Sequence, residues 1–274
     1  MRSVFVFGAG KVGRNLASAI RKAGGTVTLR AARMGFPHRG VTADIIVLAV
    51  RDRDLAPLAE LLAAGRLVSK KSVCVHVAGA LDETPLAPLQ GVCAGVAQMH
   101  PMISFASPKF CPSLARGHVH VQGDPIAVRR AGMLVRSLGM TPRTFDGLDT
   151  IGYHAAAGLV ANGAAALGAL AAELLMSAGV SRGVAPSMLG PLLRSVADNI
   201  EALGFPEALT GPVRRGELAG LRRHVETLRA KLPSAVNLYV ASAAAQLPLA
   251  RALADAPAKS FDDIEAFLRD AMDN

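Results

Sequence analysis

The sequence predicts an α/β fold, a doubly wound sheet followed by an all-α domain, and three observations carry that expectation. Short apolar runs alternate with helical patterns through the first half of the chain, the order that builds a mostly parallel sheet covered on both faces. The alternation stops near Asp146, and no strand pattern follows Asp149. The length, 274 residues, suits two cores. The expected organisation is a sheet domain over 1–147 and a helical domain over 148–274.

The first strand is the apolar run Val4–Phe7, which leads directly into Gly8-Ala9-Gly10-Lys11-Val12-Gly13. A helical pattern from Val12 to Ala23 ends at Gly24-Gly25, where glycine can close the last turn. Thr26–Leu29 reads as the second strand. Ile45–Val50 is apolar throughout, as a parallel strand buried on both faces must be. Leu55–Ala64 is a helix, and Val73–Val77 and Val92–Gln98 are the next strands. Pro101–Pro112 is loop-like, after which short strands Val119–Val121 and Thr144–Phe145 flank a helix, Ile126–Leu138. The helical half reads as Asp149–Gly179, Val184–Leu203, Leu218–Lys231, Ser234–Leu247 and Phe261–Met272. Ser260 is the expected N-cap of the last helix, with acids following in its first turn.

Composition narrows the function classes. A hydrophobic fraction of 51% against 19% charged residues excludes a disordered chain. Aromatics make up only 4%, with no Trp, so the cores must be built from Ala, Val and Leu. The net charge of +9 raises nucleic-acid binding, but the basic residues are scattered and no recognition motif accompanies them. An anionic cofactor or substrate accounts for part of the excess, and no nucleic-acid partner is expected. Cys74, Cys93 and Cys111 lack metal or redox spacing, which fits a reducing cytoplasm and predicts no metal site. The opening MRSVFVFGAG has no signal-peptide pattern. Ala155–Met176 is long enough for a membrane span, yet it holds Asn162, Glu173 and several Gly in a largely Ala background. A buried helix at a domain or subunit interface is the better reading, with no membrane partner.

The glycines at 8, 10 and 13 lie between a strand and a helix, the setting a dinucleotide loop requires. Gly8 permits the tight turn, Gly10 lets the backbone approach a pyrophosphate, and Gly13 lets the helix pack on the strand. Ala9, Lys11 and Val12 complete the loop, and the helix N-terminus supplies N–H groups and partial positive charge. After the second strand, an NAD site places a carboxylate on the ribose 2′-OH. Here Arg30 and Arg33 stand in that region, with no acid before Asp44. Arginine bonds a 2′-phosphate where a carboxylate would repel it, so NADP(H) is the expected cofactor.

Three further segments end strands at the carboxyl edge where open α/β sheets bind ligands. They are Ala49-Val50-Arg51-Asp52, His76-Val77-Ala78-Gly79, and His100-Pro101 with Ser104 beyond it. In the helical half, Tyr153-His154 opens the long helix, and Asn162 lies on roughly the same helical face as His154. Thr210-Gly211-Pro212-Val213-Arg214-Arg215-Gly216 is a polar turn whose Thr210 and Arg215 suit an anionic group.

With these motifs on one chain, the sequence resembles the Rossmann-like, DUF2520-containing group of NADP-dependent oxidoreductases. That group is related to coenzyme-F420-dependent NADP oxidoreductases and pyrroline-5-carboxylate reductases. GAGKVG at 8–13, AVRD at 49–52, HVAGAL at 76–81, HPMISF at 100–105, YHAAAGLVAN at 153–162 and TGPVRRG at 210–216 carry the resemblance. They cover nearly the whole chain in the family's order. The last motif continues with Asp in the family and with Glu217 here. The resemblance implies a helical, homodimerising C-terminal domain and a cofactor cleft between the domains.

Related β-hydroxyacid dehydrogenases use a Lys on the first interdomain helix, whereas this chain has no Lys between Lys109 and Lys231. His154 stands in the corresponding region as the candidate acid, with His100 as second candidate and Asn162 beside them. The expected function is an NADPH-dependent reductase acting on a small C=O or C=N compound. Ser104, Thr210 and Arg215 are the expected substrate contacts. The alternative is a sensor that binds NADP(H) without turnover.

Overall fold

The computed structural model describes residues 3–273. Met1, Arg2 and Asn274, the outermost residues of the two expected domains, lie outside the described residues. The chain divides into two compact units, Met1–Ala161 and Asn162–Asn274.

The first unit is a seven-stranded sheet made of β1 (Val4–Phe7), β2 (Val27–Arg30), β3 (Ile45–Leu48), β4 (Val73–His76), β5 (Gly95–Pro101), β6 (His118–Gly123) and β7 (Thr141–Arg143). Their order is β2-β1-β3-β4-β5-β6-β7, and every pair is parallel except β5 with β6. This is the doubly wound, Rossmann-like sheet that the alternation of apolar runs predicts, followed by a helical C-terminal region.

Alternation along each strand sends side chains to opposite faces. One face carries Val4, Val6, Val47, Val75, Ala97 and Met99, which form a core with α1 (Lys11–Lys22) and α3 (Pro125–Ser137). The other carries Phe5, Phe7, Ile46, Leu48, Cys74 and Val96, covered by α2 (Asp52–Ala64) and the 3₁₀ segment Thr84–Leu89. On that second face the apolar set gives way to His76, Gln98, His100, His120 and Gln122. Register places His76 beside Gln98, Gln98 beside Gln122, and His100 opposite His120.

The second unit contains the rest of α4 (Thr150–Ser177), with α5 (Ala185–Leu203), α6 (Leu218–Lys231), α7 (Val236–Leu253) and α8 (Ala258–Asp273). Its core is built from Leu221, Val225, Val240, Leu247, Phe261, Ile264 and Leu268, the apolar stripes of α6, α7 and α8.

Several expectations need correction. The fifth strand was expected at Val92–Gln98, but Val92 and Cys93 N–H both donate to Leu89 O, and pairing with β4 starts at Gly95. His100 therefore lies within β5 rather than after it. The last strand was expected at Thr144–Phe145 but lies at Thr141–Arg143; Pro142, tolerated because the strand is at the sheet edge, disguises it. The helix expected to stop at Leu247 runs through Pro248 to Leu253, since Leu247 and Ala250 are buried in the second core and offset the lost hydrogen bond. Ser260 does not cap α8: the helix starts at Ala258, after Pro257, whose carbonyl accepts from Ser260 N–H at 2.9 Å. The helix α4 was expected to be buried at a domain or subunit interface; within the single chain none of its residues is buried, and Leu159 and Val160 are 79% and 72% exposed. By length and composition α4 is also the one described helix apolar enough to cross a membrane.

Candidate functional site

The glycine loop forms for steric reasons. Gly8 has φ +112°, a conformation that side chains disfavour, and a Cβ there would sit on the carbonyl oxygen of Ala49. A Cβ on Gly13 would collide with Gly8 O, so α1 can approach β1 only because both are glycine. Gly10 has nothing within 4 Å of its Cβ position, which leaves its face open to a large ligand. No acid occupies the first turn of α1, so the positive end of its dipole is uncompensated. Arg14 Nε donates to Ala9 O at 2.8 Å and holds the loop from beneath. Lys11 is exposed and Val12 half-buried at the mouth.

Ala49, Val50 and Arg51 follow β3 beside this loop, with Ala49 N–H donating to Phe7 O at 2.7 Å. At the end of β2, the half-buried Arg30 turns back onto the chain that follows it. Its Nε donates to Gly35 O at 2.6 Å and its Nη2 to Met34 O at 2.8 Å, so it shapes the turn at 32–34. Arg33 is exposed on that turn.

The same sheet edge gathers histidines. His76 is fully buried; its Nε2 meets Asp82 O at 2.6 Å and its Nδ1 accepts from Ala78 N–H at 3.2 Å, which assigns the hydrogen to Nε2. Burial lowers the pKa of His76. Gln98 is fully buried with Nε2 donating to Ala78 O at 2.9 Å. His100 packs edge-on against Tyr153 at 5.6 Å and His154 at 5.5 Å between ring centres. A Cβ on Gly79 would lie 2.6 Å from His100 Nε2 and closer still to His154 Nδ1. The absent side chain of Gly79 is thus the space on which two imidazole nitrogens converge. Thr150 Oγ1, donating to Ala80 O at 3.2 Å, fastens the start of α4 over this edge.

Burial, and then the positive charge His154, His120 and His76 would carry, push His100 from 6.5 to about 4. Unfolded, His100 takes up a proton below about pH 6.5; folded, it does so only near 4. The stability from this group is therefore complete above pH 6.5 and lost as pH falls through 4, at most about 3 kcal/mol. Unfolding scans of the wild type and His100→Gln should converge as pH drops over that window. Parallel pH dependences for the two would contradict the shift.

The structure thus brings His76, Gly79, His100 and His154 together. Ser104 is exposed in the loop after β5, and Asn162 is exposed on α4 at the start of the second unit. Thr210 and Arg215 also belong to the second unit, where Arg215 pairs with Glu217 through two bonds of 2.7 and 3.0 Å. Sequence reasoning missed His120, Gln98, Gln122 and Glu83. His120 stacks on Phe145 at 5.7 Å and meets the tilted ring of Tyr153 at 5.7 Å. The alternation His118-Val119-His120-Val121-Gln122 was a legible signal that one strand face is polar. Among the described residues, no group of three or more His, Cys, Asp or Glu could hold a metal ion.

Residues 118–246 match the sequence model of the family described as "Domain of unknown function (DUF2520)". The DUF2520 match begins at β6, the strand that bears His120, and includes Tyr153 and His154. The fold is also that of several solved structures. A candidate NADP oxidoreductase from Bacteroides fragilis is 19% identical with a TM-score of 0.65, over 100% of this chain and 98% of the other. Plasmodium falciparum pyrroline carboxylate reductase, solved with NADP bound, is 12% identical with a TM-score of 0.61, over 97% of each chain. A Thermotoga maritima protein is 17% identical with a TM-score of 0.58, over 98% of each. No curated protein matches.

Proposed function

We propose that the chain is an NADPH-dependent reductase of a small C=O or C=N compound. One observation carries this reading. The open Gly10 face at the start of α1 and the His100–His154 pair over Gly79 occupy the same carboxyl edge of one Rossmann-like sheet. The solved candidate NADP oxidoreductase and the NADP-bound reductase of the same fold support the cofactor.

In this reading Gly8, Ala9, Gly10, Lys11, Val12 and Gly13 hold the pyrophosphate. Ala49, Val50, Arg51, His76 and Gly79 form the floor beyond it. Arg33 meets the 2′-phosphate, and Arg30 acts one step behind by shaping its turn. NADPH, when bound, supplies the hydride. His154 delivers the proton to the heteroatom of the substrate. His100, uncharged at neutral pH, orients it as an acceptor. Arg215 and Thr210 remain candidates for an anionic substrate group, a role in which Arg215 would exchange Glu217 for the substrate.

The test begins with NADPH fluorescence titration, with NADH as the reference. Arg33→Ala should weaken NADPH binding by about 10-fold, the loss of one charge-assisted contact, and leave NADH binding alone. Equal loss for both cofactors would remove the 2′-phosphate role. A panel of imines and carbonyl compounds then separates the readings: NADPH binding without oxidation on any of them favours the sensor, which the missing interdomain Lys also suits. The exposed apolar residues of α4 and α5, among them Leu159, Val160, Met188 and Leu192, support a homodimer, which light scattering would test.

A further inference from the structure

His120 is 1% exposed, and its Nδ1 is a buried nitrogen without a hydrogen-bond partner. Its other nitrogen, Nε2, lies 2.8 Å from Gln122 Oε1, and Gln122 Nε2 donates to Glu83 Oε2 at 3.1 Å. These contacts form a chain with a direction. A carboxylate only accepts, so it turns the NH₂ of Gln122 toward itself and the amide oxygen toward His120. That oxygen can only accept, so His120 must carry its hydrogen on Nε2, and Nδ1 is left as a lone pair. Gln98 is fixed by the same logic: Ala78 O and Gly79 O draw its NH₂, and the buried Oε1 is left without a partner. Two acceptors on one sheet face therefore flank His100, His120 opposite it in register and Gln98 two residues before it on β5.

We propose that Glu83, acting through Gln122, is a positioning residue that fixes the tautomer of His120 and makes the inner wall of this site an acceptor. The groups that face His120 come from each neighbouring element. They are His100 on β5, Tyr153 on α4, Glu83 through Gln122, and Arg143 on β7, whose Nε is engaged by His118 Nδ1 at 3.2 Å. Of these, Glu83 alone is anionic, and it alone can set the direction of the chain. The proposal rests on the reading of this edge as the reacting site. NADPH titration tests that reading separately, so the two can fail independently.

Side-chain ¹⁵N–¹H spectra of the full chain at neutral pH report which imidazole nitrogen carries hydrogen. Wild-type His120 is expected to show hydrogen on Nε2 and a pyridine-like Nδ1. Glu83→Gln frees the Gln122 amide to turn over, and the single-tautomer pattern should be lost. Gln122→Glu sets a carboxylate against Nε2 and should keep it, whereas Gln122→Leu should release it. Unfolding scans of each variant separate this from a structural role, which would lower Tm and leave the tautomer alone. Hydrogen on Nδ1 in the wild type, or an unchanged pattern in both Glu83→Gln and Gln122→Leu, overturns the proposal.

Discussion

Gly8→Ala is expected to abolish NADPH binding and to lower stability by about 3 kcal/mol or more. Two independent penalties meet at this position. The backbone has φ +112°, which strains any side chain, and the new Cβ would overlap Ala49 O, which β3 cannot withdraw without breaking its register with β1. Gly13→Ala should behave similarly, because its Cβ falls on Gly8 O. Gly10→Ala is the informative contrast. Its Cβ position is open, so unfolding should change by less than about 1 kcal/mol, while NADPH affinity should fall because the methyl group would stand in the path proposed for the pyrophosphate. Paired titrations and unfolding scans check all three. If Gly10→Ala bound NADPH as the wild type does, the loop would be a packing device and the cofactor assignment would fail.

Gly79→Ala should cut turnover by about 100-fold or more, the usual worth of a positioned acid–base group, while NADPH affinity changes only a few-fold. The added methyl would press on both His100 Nε2 and His154 Nδ1. His100 sits on a strand paired on both sides and has little freedom, so His154, exposed at the start of α4, must give way. The comparison with His154→Gln is direct: if the two variants lose similar activity, the geometry of the pair matters as much as the proton. Full activity in Gly79→Ala would show that the hydride is accepted without this pair.

Much of the sheet was legible because parallel strands announce themselves as apolar runs, and the loop because its glycines stand between a run and a helix. Boundaries failed where a local rule was overruled. Pro142 hid an edge strand, Pro248 did not end a helix whose next turn is buried, and Ser260 offered a cap that a helix starting at Ala258 has no use for. The candidate site was half legible. His76 and His100 stand near strand ends, shortly before Gly79 and Pro101, and His154 near the start of α4, whereas Gln98, His120 and Gln122 carry no such local mark. Their importance depends on register across β4, β5 and β6, and one antiparallel pairing decides it.

The sequence by itself determined the class of fold, the glycine loop and the strand ends that carry the candidate site, because those depend on periodicity and on what glycine alone permits. Only the tertiary structure decided which polar side chains meet. Arg30 proved to be committed to its own turn, and Gly79 to leave the space on which two imidazoles 54 residues apart in sequence converge. Such contacts arise from strand register and helix placement, which sum over many weak interactions and leave no local mark on the residues they bring together.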